Sequence, residues 1–239
     1  MRYIIALFLT SLVSAETYED WGNFQPAGYY YADMKSEYLL KTGGGKWYVN
    51  TWKKNCRENL KLNQCYAPIG GKLYFHGDVG EEEGINGHGS LLVSDKIKYT
   101  SGISVEVSMR AYCFDDTSCW ANIGIYRGEG TYRSIGYKNA NNKSHFNIWG
   151  PINEKALQDE QPGRLNKYKV VYWFTGNRWR WDYHINNEWV AGHFAEDYAY
   201  KMGGGFFVDN AARIAIGFGG YRIGGYSEGH FEQVKVSAW

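Results

Sequence analysis

The sequence predicts an all-β chain folded as a two-sheet antiparallel sandwich, and three observations predict it. Trp, Tyr and Phe number 10, 21 and 11 in 239 residues, and aromatic rings favour pleated, half-buried strands. The 30 Gly against only 4 Pro supply many turns. Apolar and polar residues alternate at period two almost throughout, the mark of strands with one face buried. The same composition argues against a coiled coil, a helical bundle or a disordered chain.

Taken in order, Met1-Arg2-Tyr3 supplies a short positive start, residues 4–13 an apolar run, and Val13-Ser14-Ala15 the small-residue pattern of a cleavage site. Residues 1–15 therefore read as a signal peptide, too short to span a bilayer, and the expected product is exported, extracellular or periplasmic. Residues 16–70 are less regular, with edge strands expected at 29–32, 38–41 and 47–52. Nothing reads as a linker or repeat, so 16–239 is expected to be a single domain with an irregular N-terminal extension.

From there the alternation is clear. Ile103, Val105, Val107, Met109 and Ala111 interleave with Ser104, Glu106, Ser108, Arg110 and Tyr112. Ala121, Ile123 and Ile125 follow, then Phe146 and Ile148 between His145, Asn147 and Trp149. Residues 168–174 read as a continuous apolar-aromatic strand. After Gly176-Asn177, Trp179, Trp181, Tyr183 and Ile185 alternate with Arg180, Asp182 and His184, and Asn186-Asn187 turns into Glu188-Trp189-Val190. Ile214, Ile216 and Phe218 mark a strand before the Gly-rich stretch 219–225, and 231–237 closes the chain. Short helices are expected only around 153–158 and 194–201.

Cys56 with Cys65 and Cys113 with Cys119 are close in sequence, so in an oxidising compartment two local disulfides are the simplest of the pairings. Neither pair has zinc-knuckle spacing. Lys plus Arg number 26 against 25 Asp plus Glu, so no excess of charge points to nucleic acid or to an acidic membrane surface.

Three segments carry a resemblance. Residues 89–110, GSLLVSDKIKYTSGISVEVSMR, resemble the entry of the concanavalin A-like lectin/glucanase superfamily, the LamG-like jelly roll, where a short strand and a Tyr-x-x-Gly turn lead into a long strand. The hairpin from Lys167 to Val190 is similar to that superfamily's central hairpin. Arg213 to Gly219 with Phe231 to Val236 looks like its last two strands. The resemblance implies a jelly-roll sandwich and raises carbohydrate as the partner, without naming a chemistry.

Laminarinase-type members carry Glu-x-Asp-x-x-Glu on one strand, and this chain has no such segment. The histidines show neither His-x-His nor His-Glu-x-x-His spacing. Glu106 and Asp182 are the one carboxylate pair considered for acid/base work, and ion pairs with Arg110 or Arg180 are the plainer reading. A lyase set is available in type from Arg110, Asn122, Tyr126, His145, Arg180 and His184. The resemblance also allows a structural calcium, with Glu232 in the closing strand and Asp78 or Glu83 beside it; no other cofactor is expected.

If the apolar positions point inward, the open face of one sheet carries Glu106, Arg110, Asn122, Tyr126, Trp149, Arg180, Asp182 and His184. Rings for C–H stacking and planar polar groups for hydroxyls suit a neutral or acidic oligosaccharide. The expectation is a secreted carbohydrate-binding protein. A glycoside hydrolase or polysaccharide lyase with another site pattern, and an adhesive or structural surface protein, stay open beside it.

Overall fold

A computed structural model describes residues 15–19, 25–32, 35–41, 46–52, 66–69, 72–79, 88–114, 119–127, 132–140, 143–149, 155–159, 163–195, 211–220 and 225–239. Every paired strand among them is antiparallel, and the strands form two sheets. Sheet I has eight strands: β16 (Glu188–Phe194), β15 (Trp179–Ile185), β14 (Asn166–Phe174), β9 (Gly102–Phe114), β18 (Gly225–Ala238), β6 (Lys72–Val79) and β5 (Tyr66–Ile69) in that order, with β1 (Ala15–Glu19) also on β18. Sheet II has ten: β13 (Lys155–Asp159), β12 (Lys143–Trp149), β11 (Tyr132–Ala140), β10 (Cys119–Tyr126), β17 (Ala211–Gly220), β7 (His88–Ser94), β4 (Lys46–Trp52), β3 (Lys35–Lys41) and β2 (Gln25–Ala32), with β8 (Ile97–Lys98) on β17.

The core lies between the sheets and is built from the alternate residues that the sequence marks as apolar. Ile103, Val105, Val107 and Met109 of β9 face it from sheet I, and Ala121, Ile123 and Ile125 of β10 from sheet II. Rings lock the layers together. Phe75 of β6 stacks on Phe218 of β17 with centroids 4.9 Å apart, and Phe231 of β18 packs on Phe75 at 4.9 Å. Farther along, Phe146 of β12 meets Tyr168 of β14 edge-on at 6.0 Å. Aromatic pairs in these offset and edge geometries add to the burial of their surface.

Two expectations change. The segment 168–174 is not apolar on both faces: Tyr168, Val170 and Tyr172 are buried while Val171 and Trp173 are half-buried on the outside. Composition alone hid this parity, which pairing with β9 imposes through Tyr168 opposite Val107 and Val170 opposite Val105. The helix expected at 153–158 is the strand β13, with Ala156 opposite Asn147 and Lys155 opposite Ile148. A six-residue helix is too short to hold itself, and the open hydrogen-bonding edge of β12 captures the segment instead. The second expected helix begins at Phe194, which ends β16, and residues 196–201 lie outside the described part.

The hairpin turns form where expected. Asn186 and Asn187 both take positive φ, 52° and 71°, the combination that matches the twist of a two-residue hairpin and that Asn tolerates. Asn186 also accepts from the Lys167 backbone N–H through Oδ1 at 2.9 Å. The expected N-terminal edge strands form as β2, β3 and β4 and extend sheet II beyond β7. The disulfide Cys113–Cys119 joins the end of β9 in sheet I to the start of β10 in sheet II, pinning the crossing between layers. Cys56 and Cys65 lie outside the described residues, as do residues 1–14.

Candidate functional site

The candidate residues fall outward, as alternation requires, but on two faces rather than one. Glu106 and Arg110 of β9 and Arg180, Asp182 and His184 of β15 lie on the outer face of sheet I. Asn122 and Tyr126 of β10 and Trp149 of β12 lie on the outer face of sheet II, across the core. Consecutive strands β9 and β10 belong to different layers, so sharing a parity does not mean sharing a surface.

On sheet I the two acids are occupied. Glu106 Oε1 is 3.3 Å from Lys167 Nζ, so its ion partner is neither Arg110 nor Arg180. Asp182 is 8 % exposed and takes Arg180 Nε on Oδ1 at 2.9 Å, as expected for that pair. Two indoles add to it: Trp189 Nε1–H donates to Oδ1 at 2.9 Å and Trp173 Nε1–H to Oδ2 at 2.7 Å. Burial raises the proton affinity of the Asp182 carboxyl, but the hydrogen bonds from Trp173, Trp189 and Arg180 outweigh it and hold the pKa below the usual value. A carboxylate so held is ionised at neutral pH and does not serve as a proton donor. His184 is held below the ordinary histidine value by burial and by the Lys169 charge, which favours its neutral form.

Sheet II offers a different surface. At the middle of its outer face, register brings Asn122 of β10 beside Gly136 of β11 and Gly217 of β17, and Gly124 beside Ser134 and Ala215. Gly136 in turn lies opposite Asn147, and Ser134 opposite Trp149, on β12. This floor is almost without side chains, and the closeness of the strands requires it at Gly136. A Cβ there would collide with the Ala121 carbonyl oxygen and lie 2.6 Å from Asn122 Cα. Around the floor stand half-buried Asn122 and Tyr126 and Trp149, a residue 43 % exposed.

Two polar atoms in this floor have no hydrogen-bond partner: Ser134 Oγ and Asn147 Oδ1, in residues 0 % and 8 % exposed. A buried polar atom left without a partner costs about 1–3 kcal/mol. Ser134 and the glycine floor were not singled out from sequence. The signal for them is glycine inside strand pattern at Gly124, Gly136 and Gly217, a sign of close approach by something other than the strand's own side chains.

Among the described side chains of β10, β11, β12 and β17, no Asp or Glu stands on this face. The two carboxyls that sugar hydrolysis by the usual routes needs are thus not among them. No group of three His, Cys, Asp or Glu able to hold a metal occurs among the described residues. Of the residues named for a calcium, Glu232 has its Oε1 3.0 Å from Lys72 Nζ and 3.6 Å from His230 Nε2. The backbone of Asp78 lies in β6 with its side chain outside the described part, as is Glu83.

Two antiparallel sheets packed face to face, with the Lys167 to Val190 hairpin and the long β9 in sheet I and the last two strands, β17 and β18, in different sheets, form a jelly-roll sandwich. No protein-family model and no curated protein sequence matches the chain. Among solved structures it is similar to the endo-β-1,3-glucanase of Pyrococcus furiosus, with a TM-score of 0.52 at 12 % identity over 88 % of this chain and 97 % of that one. It is also similar to a structure reported for endo-acting O-glycanases of the human gut microbiota, at TM-score 0.54 and 11 % identity over 92 % and 97 % of the two chains. An alginate lyase of polysaccharide lyase family 7 aligns at TM-score 0.51 and 12 % identity over 74 % and 83 %. Identities this low establish the fold and nothing finer.

Proposed function

We propose that the protein is an exported carbohydrate-binding protein that takes an oligo- or polysaccharide on the outer face of sheet II. The observation that carries this reading is Trp149, exposed on the outer face of sheet II with half-buried Asn122 and Tyr126 on the same face. The indole accepts the C–H face of a pyranose, while Asn122 and Tyr126 answer its hydroxyls. Likeness to glycan-acting structures supports the choice of ligand class. The signal-like residues 1–15 and the Cys113–Cys119 bridge support export. The near-balanced net charge of +1 supports a ligand other than nucleic acid or an acidic membrane.

The amides, hydroxyls and ring that face the ligand among the described side chains support binding as the reading. Trp149→Ala is expected to weaken binding at least tenfold, about 1.4 kcal/mol, with little change in stability because the ring is exposed. Affinity electrophoresis in a gel cast with laminarin measures it, with alginate and mucin gels run beside it. New reducing ends or unsaturated uronates on incubation with the same polymers would replace the binding reading with hydrolysis or lyase chemistry. Retardation by none of them, in wild type as in the variant, would favour the adhesive or structural reading.

A further inference from the structure

Sheet I carries a surface that the proposed site does not use. Trp173 on β14, Asp182 on β15 and Trp189 on β16 stand side by side on its outer face, and the single carboxylate takes the one N–H that each indole has. Neither ring can turn without breaking a hydrogen bond to a nearly buried anion. Trp189 is nevertheless 56 % exposed, the most exposed large apolar side chain among the described residues. Ordering a ring in water brings little burial in return, whereas a ring already ordered lowers the entropic cost of binding a partner.

The surroundings keep the platform open and extend it. Gly192 of β16 lies opposite Asp182, where a Cβ would collide with Asp182 Oδ1 and come within 2.8 Å of Arg180 Nη2. Phe194, on the same side, lies under the Arg180 guanidinium at 5.5 Å and the Arg178 guanidinium at 5.0 Å. Across the sheet, register sets Glu106, Lys169, His184 and Trp189 in one row over four strands. Three strand spacings make that row roughly 14 Å long, enough for a polymer rather than a single sugar.

The charges say what kind of polymer. On β9, β14 and β15 the outward Arg110, Lys167, Lys169 and Arg180 outnumber the outward Glu106 and Asp182. Both acids have a cation of this face beside them, at 3.3 Å and 2.9 Å. Arg110 Nε is buried without a hydrogen-bond partner, a further donor on the same face.

We infer that the outer face of sheet I is a second glycan site, which takes an acidic polysaccharide by stacking on the Asp182-held indoles and by pairing its uronate or sulfate groups with Lys169 and its basic neighbours. The two faces point away from each other, so one chain bridges two polysaccharide strands. The bridging part rests on the sheet II reading; the acidic site does not.

The test uses the full exported chain with alginate as the uronate polymer, dextran sulfate as the sulfated one and laminarin as the neutral one. Trp189→Ala is expected to weaken binding to alginate or dextran sulfate at least tenfold while laminarin binding stays unchanged, the urea midpoint falling only by the loss of one hydrogen bond to Asp182. Trp189→Phe keeps a ring but not its anchor, and an intermediate affinity is expected. Lys169→Ala should flatten the salt dependence of acidic-polymer binding. Turbidity from bridging of a mixed polymer solution is expected for the wild type and lost in Trp149→Ala and in Trp189→Ala alike. Acidic-polymer affinity that is unchanged in Trp189→Ala, or abolished by Trp149→Ala alone, overturns the second site. Laminarin binding untouched by Trp149→Ala would remove the sheet II reading and with it the bridging, while a loss of acidic-polymer binding in Trp189→Ala would still establish this face.

Discussion

Phe231→Ala is expected to lower the free energy of unfolding by about 4 kcal/mol, the range for deleting a fully buried ring from a core that relaxes only in part. Phe231 is completely buried on β18, the strand that pairs with β9, β6 and β1. Its ring packs on Phe75, which stacks on Phe218 of the other sheet, so the cavity opens at the contact that joins the layers. The midpoint and slope of urea unfolding measure it. A loss below about 1.5 kcal/mol would mean that the neighbouring rings collapse into the space and that the aromatic stack is less rigid than described.

Asp182→Ala is expected to cost about 3 kcal/mol, although it removes little apolar surface. The cost comes from the partners it leaves: Arg180 loses its nearby anion, and the Trp173 and Trp189 N–H groups lose their acceptor. Asp182→Asn removes the anion and one of its two acceptor oxygens, so the amide NH2 faces either the Trp173 indole N–H or the Trp189 and Arg180 donors, and a loss comparable to that of Asp182→Ala is expected. Acid titration gives a second reading. In the folded chain the Asp182 pKa is depressed, so the folded state binds fewer protons than the unfolded one. The stability it contributes is fully present above the unfolded carboxyl value of about 3.9 and drains away as pH falls through the lower folded value. Unfolding free energies from neutral pH down to about pH 2 should therefore fall more steeply for the wild type than for Asp182→Asn, the difference concentrated below about pH 4. Parallel curves would show that Asp182 titrates normally and that its hydrogen bonds are weaker than their lengths suggest.

These two positions differ in how far they could be read ahead. Strict alternation sets Phe231 on the face opposite to Val234 and Val236, and only the irregularity between Phe231 and Val234 in the pairing to β9 turns all three inward. That Asp182 faces outward beside Arg180 is plain from the alternation through Trp181 and Tyr183. That two tryptophans close on it is not, because Trp173 and Trp189 come from flanking strands, and residues 168–174 had looked apolar on both sides. Register across β14, β15 and β16 converts that stretch into a buried face and an outward indole.

By itself the sequence determined the class of fold, the inward residues of most strands, the Asn186-Asn187 turn and the Cys113–Cys119 bridge. Each depends on contacts between residues near one another in the chain, or on a period that burial imposes strand by strand. Tertiary structure decided which layer each strand joins, and therefore that Asn122, Tyr126 and Trp149 stand on one side of the sandwich while Glu106, Arg110, Arg180, Asp182 and His184 stand on the other. It also made 155–159 a strand, since the edge of β12 offers hydrogen bonds that a short isolated helix cannot match. Period-two patterning tells a side chain in from out; only long-range pairing between strands says which outside it reaches.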